Sequence, residues 1–192
     1  MELVFVSGNK HKLEEARLIL PEIKIVSLDE LGFHEEIQET ATTLEGNALI
    51  KARCIFERYG LNCFSDDTGL EIDALKGAPG VYSARFAGPN ASFKENVEKV
   101  LEEMGSAENR SARFRTSVAL ILNGQEQAFE GAVEGSITRQ EYGQEGFGYD
   151  SIFKPIGDSR TFAQMNLSDK NTFSHRARAM QKLRDFLMAV EQ

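Results

Sequence analysis

A chain of 192 residues with 41% hydrophobic side chains is long enough for one large domain or two small lobes around a real core. Its formal net charge of -8 excludes a broad basic face of the kind that binds nucleic-acid backbones. A small anionic substrate would need a metal ion or a few local cations to neutralise it.

The opening MELVFVSGNK holds only a four-residue apolar run and no small-residue cleavage pattern, so neither signal peptide nor membrane span is expected, and the expected location is the cytoplasm. LVFV at 3–6 reads as a buried strand. KHKLEEARLIL then carries Leu13, Ala16, Leu18 and Leu20 at helical spacing, and Pro21 stops it. IKIVSL at 23–28 is a second strand, and residues 29–42 are polar, acidic and aperiodic, which predicts a loop. From Thr43 a long helix presents Leu44, Ala48, Ala52, Ile55, Phe56 and Tyr59, and Gly60 ends it in a left-handed turn.

LNCFS and LEIDAL read as strands on either side of Asp66 and Asp67, with the chain bending at Thr68 and Gly69. Cys54 and Cys63 are too few and too far apart for a CxxC metal or redox pair, and both are expected as buried free thiols. KGAPGVYSARFAGP is an ordered loop or flap. Ser92 and Glu95 form a capping box ahead of Phe93, Val97, Val100, Leu101 and Met104. ARFRTSVALIL and QEQAFEGAVEGSIT flank Asn123 and Gly124, a two-residue hairpin signal, and this ribbon is expected to form a second lobe. GFGYDSIF turns into a strand. The last helix buries Ala177, Met180, Leu183, Leu187 and Val190. This order predicts an α/β protein: an elongated, mixed, twisted sheet flanked by helices, with ligands at strand ends.

Five clusters are candidates for chemistry. Ser7, Gly8, Asn9, Lys10, His11 and Lys12 open the first helix, where N–H groups and the helix dipole favour an anion. They fit an ordinary helix start with Asn9 as N-cap equally well, and the P-loop pattern is absent. Glu39 in the acidic loop, with Lys51 two turns into the next helix, makes either a solvated face or a charged site. In SDDTG, adjacent strand residues point to opposite faces, so one aspartate is structural and the other can enter a pocket and hold a hard divalent ion. In GFGYD, Phe147 between Gly146 and Gly148 is either a core ring or a platform for a flat ligand, and Asp150 can accept from the same ligand's N–H group. Lys170, His175 and Arg176 crowd the start of the final helix against its dipole, either as surface groups or around a bound anion or keto oxygen.

Taken together in this order, SGNKHK, SDDTGLEIDALKGAPGVYSARFAG, GFGYDSIF and SHRARAM resemble the inosine triphosphate pyrophosphatase family, also called the Ham1 family. The resemblance runs from Ser7 to the last helix. It implies one domain over residues 1–192 with two lobes and a cleft between them, a homodimer, and Mg²⁺-dependent hydrolysis of ITP, dITP and XTP to the monophosphate and pyrophosphate. By motif it implies that Ser7 to Lys12 hold the triphosphate with Lys51, and that Asp67 is metal ligand and proton acceptor. Glu39 would be the second metal carboxylate, with Glu36 or Gln38 as alternatives in that loosely matched loop. Thr68 stands where many members carry Ser. Phe147, Gly148, Tyr149, Asp150, Lys170, His175 and Arg176 would lie on the base and phosphate sides. The partner implied is a small nucleoside triphosphate, with no nucleic acid and no membrane. A house-cleaning enzyme for other modified nucleotides and a nucleotide sensor without turnover are the rival readings.

Overall fold

Two strands of four residues and one of ten begin the sheet of this computed structural model, which describes residues 1–190. β1 (Glu2–Phe5) pairs in parallel with β2 (Lys24–Ser27) and with β3 (Cys63–Ile72), as strands joined by helices must. Helix α1 (Lys10–Ile19) links the first two, and α3 (Leu44–Tyr59) precedes the third. β4 (Pro79–Gly80) runs antiparallel to β3, opposite Leu70 and Glu71. β5 (Ser111–Leu122) and β6 (Gln125–Ile137) form the hairpin, and β7 (Phe153–Pro155) pairs antiparallel with β6. The resulting order is β2-β1-β3-β5-β6-β7. α2 (Leu28–Leu31), α4 (Phe93–Met104), α5 (Leu167–Asn171) and α6 (His175–Val190) complete the fold.

The chain divides into two units. The first comprises residues 1–67, 116–131 and 176–190, and its strands alternate strictly. Leu3, Phe5, Phe64, Val118 and Leu120 face α1 and α6, where Ala16, Leu20, Met180 and Leu183 close one core. Val4, Val6, Cys63, Ala119 and Ile121 face the other way, onto Ala48, Ala52 and Ile55 of α3. The second unit comprises residues 68–115 and 132–175. Leu70, Ile72, Phe114, Val133 and Ile137 of its strands pack there against Val97, Val100 and Met104 of α4, with Phe153 and Phe162.

Local signals place most elements where the sequence predicts them. Asn123 and Gly124 make the hairpin turn with φ of 52° and 80°, both left-handed as a type I′ turn requires. Ser92 caps α4 through the expected box with Glu95, and Gly60 closes α3 in the left-handed region.

Several expectations are corrected. The aspartate pair does not interrupt a strand: β3 runs unbroken from Cys63 to Ile72, because both carboxylates find partners in place. Residues 28–31 are helical, where the sequence predicts the end of a strand and the start of a loop, and Ser27 and Glu30 form a capping box at that junction. Leu18 is 60% exposed, and Phe93, Tyr59 and Val190 are also exposed, since each lies off the stripe its helix buries. Cys63 is buried but Cys54 only half so. The hairpin is no lobe of its own; its turn end, residues 116–131, belongs to the first unit.

Candidate functional site

In the first unit, the turn after β1 is ordered by its own side chains. Ser7 Oγ accepts from Asn9 N at 3.2 Å. Asn9 Oδ1 accepts from His11 N at 3.0 Å and Lys12 N at 3.3 Å, so Asn9 is the N-cap of α1. Gly8, Lys10 and His11 are exposed around it, and Lys12 turns inward.

Asp66 is 0% exposed and surrounded by cations. Lys12 Nζ donates to its Oδ1 at 3.1 Å, and Arg176 Nε to its Oδ2 at 2.9 Å. Arg176 is itself paired with Glu15, one turn along α1 from Lys12. Burial alone would raise the Asp66 carboxyl, but Lys12, Arg176 and Lys51 outweigh it and hold it far below the usual carboxylate range. Burial likewise opposes the charge on Arg176, and Glu15 and Asp66 more than offset it. For Lys12 burial prevails over the attraction of Asp66, and its pKa is lowered.

Asp67 faces a different set of groups. Asn47 Nδ2 donates to its Oδ2 at 3.3 Å, and Lys51 Nζ lies 3.8 Å from its Oδ1. The same Nζ donates to Glu39 Oε1 at 2.7 Å and to the backbone oxygen of Asp66 at 2.8 Å. Asn47 and Lys51 stand four residues apart on one face of α3. Asn47 Oδ1 also accepts from Ala41 N at 2.9 Å, which fastens the end of the acidic loop to the helix. Glu36 and Gln38 are exposed, and Glu39 is the loop residue brought to Lys51. Burial pushes the Asp67 carboxyl up, opposed by Lys51 and Lys12 and helped by Glu39 and Asp66. For Lys51 the carboxylates overcome burial, and its pKa is raised.

Glu39 and Asp67 thus offer hard oxygen donors around one ammonium position. Among the described residues no three of His, Cys, Asp and Glu converge into a metal cage. The donor set fits a hard ion that takes one or two carboxylates and draws its other ligands from phosphate and water.

In the second unit, Thr68 follows Asp67 directly and is half-buried. Phe147 is also half-buried; its ring lies 5.9 Å from that of Phe93 and 5.1 Å from Lys170 Nζ. Asp150 is buried and accepts at Oδ2 from Lys170 Nζ at 2.7 Å and from Phe147 N at 3.0 Å. Gly146 is demanded by this turn: its φ is 74°, and a Cβ would stand 2.2 Å from Asp150 Oδ2. Gly148 also has positive φ, with open space around it. Tyr149 is 4% exposed and donates its hydroxyl to Ser83 O at 2.7 Å. His175 is buried, stacked on Phe114 at 4.5 Å between centroids.

Sequence reasoning missed Glu15 and Ser83 as members of these clusters. The signal for Glu15 was available, since it lies three residues from Lys12 on a helix already predicted. Ser83 had no such signal within its loop.

Comparison with known proteins agrees with the motifs. The model of the Ham1 family matches residues 3–186. A dITP/XTP pyrophosphatase of Porphyromonas gingivalis is 50% identical over 192 residues, 99% of each chain. One of Flavobacterium psychrophilum is 48% identical over 187 residues, 97% of this chain and 98% of the other. The structure of the Staphylococcus aureus Ham1 protein is 35% identical with a TM-score of 0.89, over 98% of this chain and 99% of that one. A HAM1 protein from Coxiella burnetii is 40% identical with the same TM-score and coverage. By fold and by sequence along nearly its whole length, the chain belongs to the Ham1 family.

Proposed function

We propose that the chain is a Mg²⁺-dependent pyrophosphatase that hydrolyses dITP, XTP and ITP to the nucleoside monophosphate and pyrophosphate, working in the cytoplasm as a homodimer. Relatives at about half identity named dITP/XTP pyrophosphatases support the activity. The observation that carries the chemistry is the divided fate of two adjacent acids. Asp66 is held charged by Lys12 and Arg176, while Asp67, raised by burial, meets Asn47 and Lys51. Neighbouring carboxyls pushed apart in pKa mark an assignment of roles. Asp66 is the anchor and Asp67 the base.

In this reading the α-phosphorus is attacked by a water in line with the leaving pyrophosphate, and Asp67 accepts that water's proton. The turn from Ser7 to His11 lies at the positive end of α1, and Lys12 and Lys51 stabilise charge on the phosphates. Magnesium held by Glu39 and Asp67 would spread the phosphate charge and polarise the attacking water. On the second unit, Phe147 and Asp150 take the base, and Lys170 holds the Asp150 side chain in place through its hydrogen bond. N–H donors such as His175 suit the 6-keto oxygen of inosine and xanthine and meet the amino group of adenine donor to donor. Such a polar mismatch costs about 10⁴ or more in specificity.

The test is pyrophosphate release from ITP, XTP, GTP and ATP, with and without magnesium, for the native protein and for Asp67→Asn. Fast, magnesium-dependent release from ITP and XTP that disappears in Asp67→Asn is expected. Binding of ITP without any release over hours would replace the enzyme with a nucleotide sensor.

A further inference from the structure

One hydroxyl links the GFGYD turn to the rest of its unit through a block that is itself tightly held. Tyr149 Oη donates to the Ser83 carbonyl at 2.7 Å. Burial pushes the phenol up, so it is a neutral donor across the ordinary pH range. Ser83 Oγ accepts from Leu70 N of β3 at 2.9 Å and donates to Gly80 O at 2.6 Å. Buried Asn96 of α4 grips the following residues, donating to Ala84 O at 3.1 Å and accepting from Ala87 N at 2.8 Å. Lys99 adds a bond to Phe86 O at 2.8 Å. The carbonyl that receives the tyrosine is therefore fixed by a strand and a helix together.

The turn that carries Tyr149 is built on glycine. Gly143, Gly146 and Gly148 all have positive φ, at 85°, 74° and 62°, and beside the tyrosine Asp150 is held by Lys170 Nζ at 2.7 Å and Phe147 N at 3.0 Å, with its backbone oxygen accepting from Ala163 N at 3.1 Å. Tyr149 lies between Phe147 and Asp150. We infer that Tyr149 is a positioning residue: its hydroxyl, tied to the Ser83 carbonyl, selects the turn conformation in which Phe147 and Asp150 meet the purine base. The inference rests on the base-side reading of this turn given above. Without the hydroxyl the ring still packs in the core, but the turn spends less time in the competent arrangement, and apparent affinity falls by that fraction. The chemical step does not use this bond.

Steady-state hydrolysis of XTP and ITP by Tyr149→Phe tests this. KM is expected to rise about fivefold to tenfold with kcat held within about twofold, the change that loss of one hydrogen bond to a buried carbonyl predicts. Inhibition by inorganic triphosphate, which has no base, should keep its native constant. Arg110→Met, which removes bonds of 2.7 and 2.8 Å to Ile137 O and Thr138 O in the same unit, should lower the melting temperature without moving KM. The inference is overturned if KM stays native, if kcat falls in parallel, if inorganic triphosphate binds equally less well, or if Arg110→Met raises KM to the same extent. Phe147→Ala separates the two claims. Should it leave KM unmoved, the base-side reading fails and this inference with it; should it raise KM while Tyr149→Phe does not, this inference alone fails. If Tyr149→Phe does not fold, Ser83→Ala, which unties the receiving block from Leu70 and Gly80, is read by the same criteria.

Discussion

Arg176 Nε donates to Asp66 Oδ2 at 2.9 Å, across 110 positions of sequence, and ties the first turn of α6 to the middle of β3. Lys12 completes the pair on the other carboxylate oxygen. This buried cluster holds the Asp66 side chain, while that of Asp67 faces Asn47 and Lys51, so one substitution is expected to act differently at the two positions.

Asp66→Asn leaves Lys12 and Arg176 buried with less compensating charge, and breaking a buried pair from one side costs about 3 to 5 kcal/mol. Its melting temperature should fall steeply. Asp67→Asn should melt near the native temperature yet lose about 10² to 10⁴ in rate, the range for a removed general base. Thermal melts beside pyrophosphate release separate the two, and equal melting temperatures would remove the anchor role from Asp66.

Glu39→Gln should raise the magnesium concentration needed for half-maximal rate by at least about tenfold, since a charged ligand becomes a neutral one. Glu36→Gln and Gln38→Ala, at exposed positions of the same loop, should leave that midpoint in place. A magnesium titration of all three decides which loop residue serves the ion.

Gly146→Ala and Gly148→Ala carry the same backbone strain, about 1 to 2 kcal/mol for a left-handed residue with a Cβ. Only the first also drives a methyl to 2.2 Å from Asp150 Oδ2; the second meets nothing within 4 Å. Gly146→Ala is therefore expected to melt lower and to raise KM for XTP, with Gly148→Ala closer to native.

Burial pushes the Cys63 thiol up to about 12, and its S–H donates to Ala52 O at 3.2 Å. At pH 8 it stays protonated, so iodoacetamide should label half-exposed Cys54 in the folded protein and both thiols in urea. The folded chain keeps the Cys63 proton between the ordinary thiol value of 9.0 and about 12, where the unfolded chain releases it. Stability should accordingly fall as pH rises through that window. Mass spectrometry of the labelled peptides and melts at graded pH check both statements.

Much of this molecule is legible locally. The Asn9 cap, the Ser92–Glu95 box, the left-handed Gly60 and the Asn123–Gly124 turn each depend on atoms within four residues, and each appears where the sequence predicts it. The candidate clusters are visible as unusual residue types at element ends. The partners within them are not, and the resemblance alone sets Asp67 apart from Asp66. Asp66 and Asp67 are equivalent by composition, and only Lys12 from 54 positions away and Arg176 from 110 away hold the first charged. The same holds for β3, which the sequence predicts to break at two adjacent acids and which runs on, because the tertiary structure supplies each acid with partners in place.

What the sequence by itself determined, then, is the run of helices, turns and strands and the chemistry available at their ends. Short-range sterics, capping and hydrophobic period act before the chain has folded. Which acid is gripped by Lys12 and Arg176 and which meets Asn47, which of Glu36, Gln38 and Glu39 reaches Lys51, and where the Tyr149 hydroxyl donates were decided by tertiary structure alone. Burial and distant charge set those properties, and neither exists until segments far apart in the chain are packed together.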